Sequence, residues 1–222
     1  MLDQLIIGTK YSYDDFEASV KEHIDHFPKK KVIKESVPFS NKVYDFSKIN
    51  GEIYWEERPL EYVFEITAES AEKLEEKKRE FSAWIMNVDN EEIYDPFIQD
   101  YHFVGTFDSI SFDDSEFEKS TVTVKFMAYP YMISNSKTVI TASLTSQSER
   151  SIVVNNASSH RINPTFISDV PFLLTVGNTS YSIAAGETTD KKFWFAEGEN
   201  RISLQSTEND GTLRIEYFEE VF

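Results

Sequence analysis

The chain has 222 residues, of which 40% are hydrophobic and 14% aromatic, and its 22 basic and 39 acidic residues give a formal net charge of −17. This apolar content can form a hydrophobic core and excludes an intrinsically disordered chain. With no cysteine and seven glycines, the sequence excludes disulfides and thiolate metal sites, and it shows no glycine-rich phosphate loop.

Acidic residues exceed basic ones in both parts of the chain. Residues 1–138 carry 16 basic and 28 acidic residues, or −12, and residues 139–222 carry 6 and 11, or −5. Such a surface repels phosphate backbones, so we expect no specific nucleic-acid binding. The longest apolar run, residues 126–133, is far shorter than the ~20 residues of a membrane-spanning helix. We therefore expect no membrane segment, and the N-terminus shows no signal-peptide pattern.

In the first part, hydrophobic residues alternate with polar ones over residues 61–67 and 121–128. This pattern predicts two half-buried antiparallel strands. Between them, helical spacing predicts one helix near residues 68–87, with Thr67 or Ser70 as its N-cap. The predicted apolar stripe of this helix consists of Ala71, Leu74, Lys78, Phe81 and Ile85. Its acidic faces are interpreted as solvated rather than as a partner surface.

After Tyr131 the composition changes, and the polar stretch 134–138 predicts a domain boundary. We expect an N-terminal domain over residues 1–133, β-rich with one helix, and an all-β domain over residues 139–222. Short strands are predicted at 151–155, 172–176, 180–184, 193–196, 201–205 and 212–218. Gly177-Asn178 and Asp210-Gly211 are predicted as hairpin turns. The predicted fold is mainly β, with an α+β N-terminal domain and a C-terminal antiparallel β-sandwich.

Potential metal ligands and acid–base groups are few. His23 and His26 would share one face of a helix, but two ligands alone do not define a metal site, so we interpret them as a solvated pair. With 39 acidic residues, neighbouring carboxylates arise by chance. Such clusters occur at residues 14–15, 56–57, 91–92 and 113–116. The cluster at 113–116 lacks the calcium-loop pattern and is predicted to be a charged turn between strands.

No catalytic motif is present, so we predict no catalytic, cofactor-binding or metal residues and no cofactor. A cell-wall hydrolase would need a preorganised acid–base pair or nucleophile, and the sequence shows neither. The protein is therefore expected not to be an enzyme.

Two segments leave alternatives open. Lys29, Lys30 and Lys31, with Lys34, form the sole cationic patch, which either docks a partner's acidic surface or lies in a solvated loop. The run 193–195, Phe-Trp-Phe, either packs in the core or exposes an aromatic ring that stacks on sugar. A carbohydrate-binding module for host attachment is therefore the alternative function.

Four segments in chain order carry a resemblance to a known family. Residues 37–47 are VPFSNKVYDFS, and residues 55–64 are WEERPLEYVF. The third segment is the acidic helix ending near Trp84, followed by Asp95-Pro96, and the fourth is the strand at 122–128 running into Pro130-Tyr131. Together they resemble the siphophage distal tail protein family, whose members form the hub ring at the tail tip.

The resemblance continues through Asn155-Asn156, Pro164 and the segment 198–200, but its first motif departs from the family pattern. The family has glycines where this chain has Phe39 and Lys42. Because Asn tolerates the left-handed backbone conformation, a shifted turn is expected at Asn41.

The resemblance implies a structural virion protein assembled in the host cytoplasm and located in the virion tail of a phage or prophage. It implies that residues 1–133 are the ring-forming domain of a homo-hexamer, and that this ring joins the tail tube protein to a tail-tip or tail-associated lysin-type protein. A galectin-like C-terminal sandwich would project outward and dock receptor-binding proteins. We also expect an acidic ring lumen, with the Lys29–Lys34 run outside it.

Overall fold

The computed structural model describes residues 4–36, 38–47, 53–116 and 118–222, and within these ranges it leaves out the side chains of residues 115 and 116. Val37, the first residue of the family-like motif, lies outside the described residues. The chain forms two compact units, Met1–Met132 and Ile133–Phe222. Each unit has its own hydrophobic core.

The first unit is built on one antiparallel sheet. Its strands are β1 (Ile6–Ile7), β2 (Lys10–Tyr11), β3 (Ala18–Asp25), β4 (Lys34–Ser36), β5 (Val43–Asp45), β6 (Arg58–Thr67), β7 (Glu91–Tyr94), β8 (Tyr101–Glu116) and β9 (Lys119–Ala128), and its helix is α1 (Ala71–Ile85). The strand order is β2-β1-β7-β8-β9-β6-β3, while β4 and β5 form a separate hairpin. The long strands β6, β8 and β9 occupy adjacent positions, so they provide the face on which the core forms.

The alternation predicted for β6 and β9 is confirmed. Tyr62, Phe64 and Ile66 from β6 are fully buried on one face, and Val122 and the other predicted inward residues of β9 are buried beside them. The helix predicted near 68–87 is also confirmed, with Ser70 as its N-cap. Its buried side chains are Leu74, Lys78, Phe81 and Ile85, while Ala71, the other residue of the predicted stripe, is only partly buried.

The buried lysine in the helix stripe has a specific role. The Lys78 Nζ donates to Glu75 and to Asp114 at 2.7 Å each, and it lies 4.8 Å from the centre of the Phe112 ring. The aliphatic stem can therefore pack in the core while the ammonium group stays paired.

We expect Ser70→Ala to lower the free energy of unfolding of the first unit by about 1 kcal/mol. The Ser70 hydroxyl accepts a hydrogen bond from the Lys73 N–H, and loss of such a cap leaves a helix donor without a partner. Denaturant unfolding followed at 222 nm would measure the change. Ser70→Asp retains an acceptor and should behave like the wild type; equal loss in both variants would contradict the capping role.

The second unit is an antiparallel β-sandwich, as predicted. Its strands are β10 (Met132–Ser134), which begins one residue before the unit, β11 (Thr138–Leu144), β12 (Arg150–Asn156), β13 (Thr165–Ser168), β14 (Phe172–Val176), β15 (Thr179–Ile183), β16 (Gly186–Thr188), β17 (Gly198–Ser206), β18 (Gly211–Tyr217) and β19 (Glu220–Val221). Two four-stranded sheets, β11-β18-β13-β16 and β12-β17-β14-β15, enclose the core, while β10 and β19 lie outside these two sheets and pair with each other.

Two local predictions for this unit are wrong. Residues 193–196 form no strand and make one isolated bridge, Ile162 to Phe195. Asp210-Gly211 is not a hairpin turn, because β17 and β18 belong to different sheets. The chain crosses between the sheets here, and Gly211 is required by space: an added Cβ would lie 2.3 Å from Asp169 Oδ1. The hairpin predicted at Gly177-Asn178 is present between β14 and β15.

Across the described residues we find no helix with the length and hydropathy that a bilayer-spanning segment needs.

Candidate assembly surface

An extended arm leaves the sheet after β3 and returns at β6. We define the arm as the described residues 26–36, 38–47 and 53–57. Its two legs run antiparallel: the Lys31 N–H donates to the Tyr54 carbonyl, and the Glu56 N–H donates to the Lys29 carbonyl, both at 2.8 Å. No described residue of the arm belongs to the hydrophobic core of the first unit. The arm is therefore ordered by backbone hydrogen bonds rather than by core packing.

The arm exposes much of the apolar surface of the described chain. Nine of the 19 large exposed hydrophobic residues in the described ranges lie on it. These nine are Phe27, Val32, Ile33, Phe39, Val43, Tyr44, Phe46, Ile53 and Tyr54. So many exposed apolar side chains on one short segment favour an interaction site.

The tip of the arm contains a strained residue. Phe39 has φ of +62°, a left-handed conformation that is rare for a bulky side chain. The turn predicted at Asn41 is wrong, since Asn41 is not among the described residues with positive φ. Phe39 adopts this conformation at the position where the resembling family has glycine. The ring is fully exposed, so no packing within the described chain accounts for a phenylalanine here.

The predicted cationic run lies on the first leg of the arm. Among the described residues, Lys29, Lys30, Lys31 and Lys34 form no ion pair. Lys30 Nζ lies 5.7 Å from the centre of the Trp55 ring. This run therefore remains available to a partner with acidic groups.

A groove of about 840 Å³ lies at the base of the arm. Its lining consists of His26, Phe27, Lys29, Lys31, Trp55, Glu56, Glu57, Pro59 and Met127. The predicted acidic pair Glu56-Glu57 thus lies beside the lysines, and aromatic rings supply apolar walls. The groove combines apolar surface with charges of both signs, as protein–protein interfaces do.

The two histidines of the predicted pair have different environments. His23 lies in β3, not in a helix, and its side chain is only 10% exposed. Its Nδ1–H donates to Asp95 Oδ2 at 2.7 Å, and its ring stacks on Tyr62 at 4.8 Å. His26 is exposed and lines the groove. The prediction of a solvated pair is wrong for His23, because a strand face turns it toward the core.

Beside His23, a buried arginine begins β6. Arg58 has no exposed surface, and its guanidinium lies between the rings of Phe27 and Phe103, with its Cζ 5.6 and 5.5 Å from their centres. Burial lowers the pKa of Arg58, and the nearby Asp25 partly opposes this shift. Arg58 lies four positions before Tyr62. The alternation of β6 therefore already predicts that the Arg58 side chain faces inward.

The buried hydroxyl of Tyr62 should make the protein sensitive to alkali. It donates to Asp95 Oδ2 at 2.9 Å, and burial, followed by the Asp95 charge, raises the pKa of Tyr62 well above its usual value of 10.0. The folded state therefore holds this proton at a pH where the unfolded state releases it. We expect the stabilising contribution of Tyr62 to be complete below pH 10.0 and to decrease as the pH rises above it.

Unfolding experiments between pH 9 and 11 would test this expectation. Tyr62→Phe should show a shallower decrease in stability over this range than the wild type. Tyr11→Phe, at an exposed position, provides the control. Identical pH profiles for all three proteins would contradict the assignment.

The acidic cluster at residues 113–116 is not the charged turn that was predicted. Asp113 and Asp114 lie within β8, at an irregularity in its pairing with β9. Asp114 accepts hydrogen bonds from Lys78 at 2.7 Å and from the Ser120 hydroxyl at 2.6 Å, and these bonds lower the pKa of Asp114. Across the described residues, no group of three or more His, Asp or Glu could hold a metal ion.

The aromatic run in the second unit is mostly core. Phe193 and Phe195 are buried, while Trp194 is 41% exposed. The Arg161 guanidinium covers a face of the Trp194 ring at 4.7 Å, and the indole N–H donates to the Lys191 carbonyl at 3.2 Å. A pocket lies on the sheet that contains β12, β14 and β17. It is lined by Ser151, Ile152, Val153, Thr175, Gly177, Arg201, Ile202 and Ser203. It contains no aromatic ring for sugar stacking, so this geometry does not favour the carbohydrate-binding alternative.

Comparison with known proteins identifies the fold class. No family model and no curated protein sequence matches the chain. Among solved structures, the chain is similar over its whole length, and over the whole of the other chain, to the Dit protein of phage SPP1, with 13% identity and a TM-score of 0.68. That Dit protein is described as a paradigm of the hub adsorption apparatus in phages that infect Gram-positive bacteria.

Two weaker similarities support no inference. A chain of the phage P2 baseplate in its activated conformation with calcium matches with 9% identity and a TM-score of 0.41, over 97% of this chain and 98% of the other. A designed double-stranded β-helix matches over 37% of this chain, with all of its own length covered, 19% identity and a TM-score of 0.26. From the SPP1 Dit match alone, the chain has the fold of a phage hub protein, and the resemblance to the distal tail family is confirmed at the level of fold.

Proposed function

We propose that this chain is a structural virion protein, the distal tail hub that joins the tail tube to the tail tip or baseplate of a long-tailed phage. The observation that carries this proposal is the full-length match in fold to the SPP1 Dit protein. Four sequence segments resembling the distal tail family support it independently, because they lie in the family's order along the chain.

The proposed assembly is a homo-hexamer ring built from the N-terminal domain, residues 1–133. The arm supplies the contact between neighbouring copies, since its apolar residues are exposed and lie outside the core. Closed cyclic symmetry lets one such contact produce a ring without open filaments. The C-terminal domain, residues 139–222, is the galectin-like sandwich that docks receptor-binding proteins.

The other proposed partners are the tail tube protein on one side of the ring and a tail-tip or tail-associated lysin-type protein on the other. The ring assembles in the host cytoplasm and stays in the virion tail. It has no enzymatic activity and no cofactor. Its lumen is acidic and does not bind DNA, in keeping with the charge of −12 on residues 1–138.

Electron microscopy of particles from the encoding phage or prophage would test the proposal. An antibody against the chain should label the junction of tail tube and tail tip, and image reconstruction should show six copies around the tail axis. Deletion of the gene should yield particles without complete tails. Absence of the chain from purified virions, or labelling confined to the capsid, would refute the hub function.

A further inference from the structure

The buried guanidinium of Arg58 lacks hydrogen-bond partners. None of its three nitrogens makes a hydrogen bond within the described residues, and Asp25 Oδ1 also accepts no hydrogen bond there. The Asp25 carboxylate is 3.4 Å from Nε, close enough for an ion pair. Because buried polar groups in folded proteins nearly always make hydrogen bonds, a buried guanidinium that makes none, and has only this long ion pair, indicates a missing partner.

The groove at the base of the arm is where a partner can reach Arg58. Phe27 lines this groove and also lies over the guanidinium at 5.6 Å. Pro59, the next residue in the chain, lines the groove as well, and so does Met127, next to the strand partner of Arg58. The Phe27 residue is 72% exposed. Little packing therefore holds its ring in place, and a rotation would open the guanidinium to the groove.

The groove tolerates negative charge better than the rest of this chain. Lys29 and Lys31 offset Glu56 and Glu57 in its lining, so the lining is close to neutral while the whole chain carries −17. A carboxylate entering here meets less repulsion than elsewhere on the surface. The planar guanidinium then offers paired N–H groups that match the two oxygens of a carboxylate.

We propose that Arg58 is the receptor for a carboxylate side chain that a second copy of this chain inserts into the groove, displacing the ring of Phe27. The inference rests on the proposed ring, in which the arm of each copy meets the next copy. A second copy is the fitting donor because each copy carries 39 acidic residues. Each subunit would thus remain incomplete at Arg58 until its neighbour arrives.

Arg58→Met tests the inference, with Arg79→Met on the exposed face of α1 as the matched control. We expect the isolated Arg58→Met subunit to fold, because methionine replaces the apolar stem of Arg58 and the partly exposed Asp25 stays solvated. Ring formation, measured by sedimentation velocity and by image reconstruction of virions, should be at least tenfold weaker. Arg58→Lys should also assemble poorly, since an ammonium group cannot replace the paired guanidinium bonds.

Carbodiimide cross-linking of assembled wild-type protein gives a measurement that does not depend on a variant. In a ring mixed from ¹⁴N- and ¹⁵N-labelled copies, Lys29 or Lys31 should form amide links to an Asp or Glu of the other isotope. Mass spectrometry would then identify the inserted carboxylate.

The outcomes separate this inference from the proposed function. Intact rings from Arg58→Met would overturn the inference and leave the hub function standing. If Arg58→Met fails to fold while Arg79→Met folds, the cross-links decide, and their absence between copies overturns the inference. Absence of the wild-type chain from virions would refute the hub function itself.

Discussion

We expect Phe81→Ala to lower the free energy of unfolding of the first unit by about 3–5 kcal/mol. Phe81 is fully buried between α1 and the sheet. Its ring packs against those of Phe16, Phe64 and Trp84, with centres 6.1, 5.0 and 5.7 Å away. Truncation removes these aromatic contacts and leaves a cavity that the surrounding rings cannot fill. Denaturant unfolding would measure the loss.

Residue-resolved hydrogen exchange would show where stability is lost. Protection should fall in α1 and β6 and stay unchanged in β12, β14 and β17, because the second unit has a separate core. Phe97→Ala makes the same truncation at a 51% exposed position and should change stability by about 0.5 kcal/mol or less. A Phe81→Ala effect below 1 kcal/mol would show that α1 does not pack as described.

Phe39→Gly should have opposite effects on the subunit and on its assembly. Because a left-handed conformation costs a side-chain-bearing residue roughly 1–2 kcal/mol, we expect glycine to stabilise the arm by about 1 kcal/mol after its own entropy is counted. The same change removes a fully exposed ring that would bury itself in a neighbour. Ring formation should therefore weaken at least tenfold while the subunit becomes more stable.

The matched control is Asn90→Gly, which relieves another left-handed residue, with φ of +55°, outside the arm. It should leave assembly unchanged and stabilise the subunit less, since Asn tolerates this conformation. Unfolding curves and sedimentation of the three proteins give both quantities. If Phe39→Gly assembled as well as the wild type, the strained turn would have no role in the interface.

The elements with strong periodicity could be predicted from the sequence, because burial on one face imposes the pattern. β6, β9 and α1 are such elements, and Lys78 appears in the stripe since its stem is apolar. The buried environment of His23 could not be predicted, because its partner, Asp95, is 72 residues away in the sequence. Local patterns carry no information on such pairing. The exposure of the arm could not be predicted either, because the sequence around Val43 and Tyr44 is typical of an ordinary short strand.

In the second unit, prediction failed where the path of the chain depends on distant contacts. Asp210-Gly211 has the composition of a hairpin turn, but Asp210 accepts a hydrogen bond from the Ser146 N–H and Gly211 fits closely against Val170. These contacts direct the chain into the other sheet. Phe193 and Phe195 alternate like strand residues, yet they fill the core from a loop that Asn163 holds through two carbonyls.

The charge of −17 has a consequence for how fast copies meet. Two such subunits repel each other at long range, and this repulsion fades beyond about 8–10 Å at physiological ionic strength. Added salt should therefore speed the encounter of copies, the reverse of the behaviour of oppositely charged partners. The same salt would weaken lysine–carboxylate contacts once the copies have docked. Ring yield should accordingly pass through a maximum as ionic strength increases, which sets a preferred salt range for assembly outside the host.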